Sequence, residues 1–187
     1  MDVVGRAEYK LENAIKAFGV DLRGKTVLDI GSSTGGFTEK ALRAGAAKVI
    51  AVEKGTNQMK APLRFDERIE LHEKTDIFEF NCDAPDVILA DVSFVSLIKV
   101  LEYARQNLAD NHTEYLVMLK PQFEAKPWQL NKGVIKNSKM RREIIADFEA
   151  KLRKLGFVVL GKRDNELAGR FGNVERFYYL KHGKMLV

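Results

Sequence analysis

The chain has 187 residues, 45% hydrophobic and 30% charged, which is enough for one sizeable buried core in an ordinary globular balance. No run of about 18 or more uncharged apolar residues occurs, so no bilayer-spanning helix is expected, and Met1–Arg6 lacks the apolar run of a signal peptide. The formal net charge is +5, but residues 1–119 hold 15 basic against 19 acidic side chains while residues 120–187 hold 16 against 7, a split that suggests a polyanionic partner such as a nucleic acid.

In chain order, a first helix is predicted over Tyr9–Phe18, with Leu11, Ala14, Ile15 and Phe18 on one face and Gly19 as its C-cap. Short apolar runs then read as buried parallel strands: Thr26–Ile30, Lys48–Val52, Ile69–His72, Val87–Ala90 and Tyr115–Leu119. Helical patterns fall between most of them, at Gly36–Ala44, Thr56–Leu63 and Leu97–Leu108. Residues 121–137 form the longest irregular stretch, and loops of that length are usually functional or mobile. A long amphipathic helix follows at Lys139–Leu155, stopped by Gly156. Phe157–Gly161 and Glu175–Leu180 are the last strands, joined without a helix through polar residues 163–173, so they are expected to pair as an antiparallel hairpin at one edge. The expected fold is α/β in one domain over 1–187: a seven-stranded, mostly parallel sheet with helices on both faces. By analogy, that layout is similar to the Rossmann-like methyltransferases.

Val27 to Thr38 reads strand, tight turn, helix, with Gly31, Ser33, Thr34, Gly35, Gly36 and Phe37 around the turn. Such a turn brings backbone close to a ligand and offers free N–H groups to an anionic group. The spacing Gly-x-x-x-Gly-Gly is not that of a dinucleotide site, and it lacks the Lys-Ser/Thr ending of a P-loop, which favours S-adenosylmethionine. On this reading Asp29 takes the cofactor's ammonium group. Glu53, about 20 residues past the turn, suits the ribose hydroxyls, and Asp76 after the third strand suits the adenine amino group.

Asp91 ends the fourth strand and Lys120 the fifth, at the edge where open α/β sheets bind ligands, and Pro121 keeps Lys120 extended. Glu175 opens the last strand after Gly172-Asn173-Val174, and Lys10 lies in the first helix. From Gly5 to about Leu180 the sequence resembles the FtsJ-type RNA ribose 2′-O-methyltransferases, within them the TlyA, or haemolysin A-like, branch. The stretches carrying the resemblance are Leu28–Thr38, Asp91-Val92-Ser93-Phe94-Val95-Ser96-Leu97, Lys120-Pro121-Gln122-Phe123-Glu124 and Gly172-Asn173-Val174-Glu175. The resemblance implies a catalytic tetrad on Lys10, Asp91, Lys120 and Glu175, with Asp91 also beside the cofactor, and ribosomal RNA or ribosomal subunits as partner. Two departures stand out. The branch usually carries an S4-type RNA-binding domain ahead of this one, and these residues hold no counterpart. It also usually reads Ser-Arg-Gly-Gly before the first tetrad lysine, where this chain has Gly5-Arg6-Ala7-Glu8-Tyr9, closer to the Arg-Ala-x-x-Lys-Leu form of other FtsJ-type enzymes.

On the RNA side, Arg6, Lys126, Lys132, Lys136, Arg141 and Arg142 are expected to meet phosphates, and Phe123 or Trp128 to stack on a base. Three scattered histidines and the single Cys82 predict no metal site, and Cys82 with no export signal predicts a cytoplasmic protein. Three alternatives remain open from sequence. The same fold could methylate a small molecule or a protein, it could bind cofactor or RNA without turnover, or the tetrad could be two structural salt bridges. A membrane-active role finds no span and no helix both strongly basic and strongly apolar.

Overall fold

The computed structural model describes residues 5–166, 169 and 172–183. Helix α1 (Arg6–Phe18) begins earlier than expected and ends at Gly19, whose φ of 65° lets its N–H turn back to the Ile15 carbonyl. Strands β1 (Thr26–Ile30), β2 (Lys48–Val52), β3 (Ile69–His72) and β4 (Val87–Ala90) have the bounds read from sequence. Between them lie α2 (Gly36–Arg43) and the single turn α3 (Ala61–Arg64). The longer helix expected at 56–63 does not form. Pro62 lacks an N–H and clashes with the preceding turn, so it fits only at the start of a helix, where the structure puts it. Residues 57–59 instead wrap around Glu73, whose carboxylate accepts their three N–H groups and a bidentate pair from Arg64.

Helix α4 (Leu97–Asn107) leads into β5 (Glu114–Leu119). The stretch read as an irregular loop has structure of its own: two 3₁₀ turns at Pro121–Phe123 and Pro127–Gln129, then a small hairpin of β6 (Leu130–Asn131) and β7 (Val134–Ile135). Helix α5 (Ser138–Lys154) is capped by the Asn137 side chain and followed by β8 (Phe157–Asp164) and β9 (Arg176–His182).

The main sheet runs β3-β2-β1-β4-β5-β9-β8, parallel from β3 to β5 and antiparallel thereafter. The last strand therefore lies inside the edge, between β5 and β8. Its register, Leu119 against Arg176, puts the start of β9 next to the end of β5. Side chains alternate between two buried layers. Leu28, Ile30, Ile88, Ala90, Tyr115 and Val117 face α4 and α5, while Val27, Val87, Leu89, Leu116 and Met118 face α1 and α2. Among the described residues no helix is long and apolar enough to cross a membrane, and no group of acids, histidines and cysteines is placed to hold a metal.

Candidate active site

The glycine turn connects β1 to α2 and is held from below by β2. Gly31 and Ser32 both donate to the Val52 carbonyl, at 2.8 and 3.2 Å. Gly31 has φ 81° and Gly35 φ 92°, conformations that disfavour a side chain, and a Cβ on Gly35 would fall 2.5 Å from Leu63. Gly36 answers to packing, since a Cβ there would lie 2.9 Å from Ala7 of α1. The turn borders a cleft of about 600 Å³.

That cleft gathers part of the expected cofactor set. Gly31, Ser33, Glu53, Asp76 and Asp91 line it, with Val52, Ile77 and Phe78 as apolar wall. Thr34, Gly35, Gly36 and Phe37 are not on its surface. Phe37 points into the core and stacks on Phe177, with ring centroids 6.1 Å apart, so its side chain is a packing residue. Glu53 accepts the Ser33 N–H at 2.9 Å and the Gly55 N–H at 2.6 Å, joining the turn to the end of β2. Asp76 caps the 3₁₀ turn Ile77–Glu79 and pairs with Lys54 at 2.8 Å; that lysine holds its carboxyl below the usual range.

Asp29 departs from the expectation of an open ligand. It is 0% exposed, because it shares the parity of Val27 and points into the α1–α2 layer. Its Oδ2 accepts the Thr38 hydroxyl at 2.6 Å, and its buried Oδ1 has no hydrogen-bond partner. Burial raises its carboxyl to about 7 despite the Thr38 bond, and the charges of Asp91 and Glu53 add to the rise. Asp91 and Glu53 thus line the cleft as open acids, with Asp29 buried behind them. A ligand carrying ammonium and sulfonium charges suits that field, and the apolar wall beyond Glu53 suits an adenine ring.

Two tests follow. The native state keeps an Asp29 proton that the unfolded chain, at an ordinary 3.8, releases. The stability tied to it is fully present below about pH 4 and is lost as pH rises towards 7, at up to about 1.4 kcal/mol per pH unit. Asp29→Asn should flatten that slope in denaturant titrations; parallel slopes in both forms would mean that Asp29 is ionised in the native fold. Separately, Glu53→Ala should weaken S-adenosylmethionine binding by about 1–3 kcal/mol in calorimetry through lost charge-assisted hydrogen bonds. Unchanged affinity would remove Glu53 from the cofactor site.

At the carboxyl edge of β4 and β5, Lys120 and Asp91 form an ion pair at 2.6 Å, and the Lys120 Nζ also donates to Ser93 Oγ at 2.7 Å. Lys120 is extended, as Pro121 demands. The second pair is Lys10 with Glu175, their side chains only 8% and 6% exposed. Asn165 donates to the same carboxylate at 3.2 Å. The pairs sense each other: burial pushes the Asp91 carboxyl up, Lys120 pulls it down, and Glu175 and Lys10 act on it with opposite signs.

Several neighbours were not singled out from sequence. Ser93 is one, two residues past Asp91, as its spacing could have suggested. Glu124 accepts the Ser96 hydroxyl and the Leu97 N–H, at 2.7 and 2.6 Å, tying the segment after Lys120 to the start of α4. Phe94 has φ 64° and stands 92% exposed on the cleft rim, 5.2 Å from the Phe123 ring. A large ring held in the left-handed region and bared to solvent is unusual enough to point to use rather than packing.

Of the residues expected to meet RNA, Lys126, Trp128, Lys132, Lys136 and Arg142 are exposed. Arg141 is not available. It pairs with Asp164 at 2.7 Å and donates to the Val174 carbonyl at 3.2 and 3.1 Å, because it lies on the face of α5 that meets the β8–β9 connection. The side chain of Arg6 lies outside the described residues.

The FtsJ-like methyltransferase family matches residues 3–182. A Campylobacter jejuni protein named 23S rRNA (cytidine-2′-O)-methyltransferase TlyA is 41% identical over 179 residues, spanning 94% of this chain and 70% of the relative. Hemolysin A of Brachyspira hyodysenteriae is 39% identical over 186 residues, 96% of this chain and 75% of the relative. Among solved structures, a Streptococcus thermophilus chain under the name hemolysin superposes with a TM-score of 0.92 at 32% identity, covering 99% of this chain and 69% of that one.

Proposed function

The chain belongs to the FtsJ-like methyltransferase family, and from that premise we propose that it methylates a ribose 2′-hydroxyl of ribosomal RNA. S-Adenosylmethionine supplies the methyl group on an electrophilic sulfonium. The observation that carries the reading is the meeting of two lysine–carboxylate pairs at one sheet edge, beside a cleft whose acids suit that cofactor.

A ribose hydroxyl is a poor nucleophile at neutral pH, and its proton needs an acceptor. Lys120 is the acceptor in this reading. As a neutral amine it takes the proton, and Asp91 and Ser93 are already in place to stabilise the ammonium that forms. Lys10, held by Glu175, anchors the hydroxyl oxygen. Much of the remaining acceleration comes from in-line placement of the hydroxyl, a task for the RNA contacts.

Phe94 and Phe123 offer a base an aromatic surface at the cleft rim, and the exposed Lys126, Lys132, Lys136 and Arg142 offer charge to phosphates. The curated names among the relatives support ribosomal RNA as the substrate class, with cytidine as the first nucleotide to examine. The test is incubation with labelled cofactor and, in parallel, 30S subunits, 50S subunits and naked ribosomal RNA, followed by mapping of 2′-O-methyl positions. Label at a ribose 2′-oxygen of one RNA is expected. Label that stays with ribosomal protein, or on a base, would overturn the reading.

A further inference from the structure

We infer that Asn173 is a positioning residue through which the β6–β7 hairpin sets the Glu175–Lys10 pair, so that RNA seated on the hairpin and the catalytic edge are mechanically one unit. This rests on the RNA methyl transfer proposed above. The hairpin is minimal: two residues per strand, paired as Leu130 with Ile135 and Asn131 with Val134. A two-stranded ribbon of that size is not stable by itself, so its position depends on what it docks against. Its tip turns through Lys132 and Gly133, with φ values of 48° and 80°. Lys132 and Lys136 are exposed on it, and Trp128 just before it.

Asn173 is only 5% exposed and spends its whole amide on this hairpin. Its Nδ2 donates to the Gly133 carbonyl at 3.0 Å, and its Oδ1 accepts the Ile135 N–H at 3.1 Å. Two residues further along is Glu175. The intervening Val174 carbonyl is gripped by Arg141 of α5, and Asn165 holds Glu175 through both its N–H and its side chain. Two residues of chain span at most about 7 Å, so little slack separates the hairpin clamp from the carboxylate that holds Lys10. An apolar residue would satisfy burial at position 173. Only a side chain with both donor and acceptor can grip a carbonyl and an N–H of the same hairpin at once.

The experiment compares Asn173→Ala and Ile135→Pro with the wild-type chain in steady-state methyl transfer to ribosomal RNA. Ile135→Pro removes the N–H that Asn173 accepts and leaves Asn173 itself in place, which covers the case that Asn173→Ala fails to fold. The expected result is a fall in kcat at saturating RNA on the order of 10²-fold, the scale of a misplaced catalytic group. KM for RNA should rise only modestly, since Lys126 and Arg142 lie outside the hairpin, cofactor affinity should stay near wild type, and the double variant should be no slower than the worse single one. A raised KM with wild-type kcat would overturn the coupling, since the hairpin would then be a binding surface only. Losses of kcat and cofactor affinity in equal measure would overturn it too, since Asn173 would then be a general structural residue. If the wild-type chain itself transfers methyl to no RNA, the fault lies with the parent reading and both fall.

Discussion

Lys120→Ala should lower methyl transfer by about 10²–10⁴-fold, the loss expected for a missing general base. The fold should survive. Removing the lysine leaves Asp91 without its cation, but burial already pushes that carboxyl up, so it can take a proton instead of remaining as a bare charge. Lys120 does not line the cleft proposed for the cofactor, so cofactor affinity in calorimetry should change little. Lys120→Arg is the sharper variant. A guanidinium keeps the ion pair with Asp91 yet cannot give up its proton near neutral pH, so its rate should fall nearly as far as that of the alanine variant. Wild-type transfer by Lys120→Arg would make the lysine an electrostatic anchor and not a base.

Glu175→Ala should lower the unfolding free energy by about 3–5 kcal/mol, because it strands the buried Lys10 ammonium. Such pairs contribute little net stability when intact, since the attraction mostly offsets desolvation. The double variant Lys10→Met with Glu175→Leu should therefore regain much of the lost stability in denaturant titrations. Methyl transfer should stay low in both. Recovery of stability without recovery of rate separates the catalytic use of the pair from a structural one. If the double variant recovered both, the buried pair would be structural, and the hydroxyl would need another anchor.

Much of the scaffold was legible because local pattern suffices for it. Four apolar runs of four or five residues, bounded by polar turns, mark β1 to β4 with their observed ends. The charge types at the ends of β4 and β5 are equally plain, since a parallel strand delivers its last residue to the ligand edge whatever its neighbours. The family resemblance covered the same ground, and the match over residues 3–182 agrees with it.

Other features depend on partners distant in sequence. Pro62 was a local signal against the helix expected at 56–63, but the wrapping of that loop around Glu73 was visible only in space. Asp29 looked like a ligand from its place in the motif, while strand parity turned it under α2. Arg141 looked like one more surface cation, and only the packing of α5 beside Asp164 and Val174 gave it those partners. The hairpin at 130–135 is too short for a periodicity to register, and its anchor lies 38 residues away at Asn173.

The sequence by itself determined the residue types at the catalytic edge, the alternation of strands and helices, and the expectation of a terminal antiparallel pair. The tertiary structure alone decided that β9, and not β8, lies against β5. That choice brings Glu175 beside Lys120 through the register of Leu119 with Arg176, and it gives Lys10 of α1 a carboxylate 165 residues away. The physical reason is that hydrophobic period and turn chemistry are local quantities. Which strand occupies the inner place depends on burial: Phe177, Tyr178 and Leu180 of β9 fill both core layers, whereas Val158 and Leu160 of β8 remain exposed and tolerate the edge.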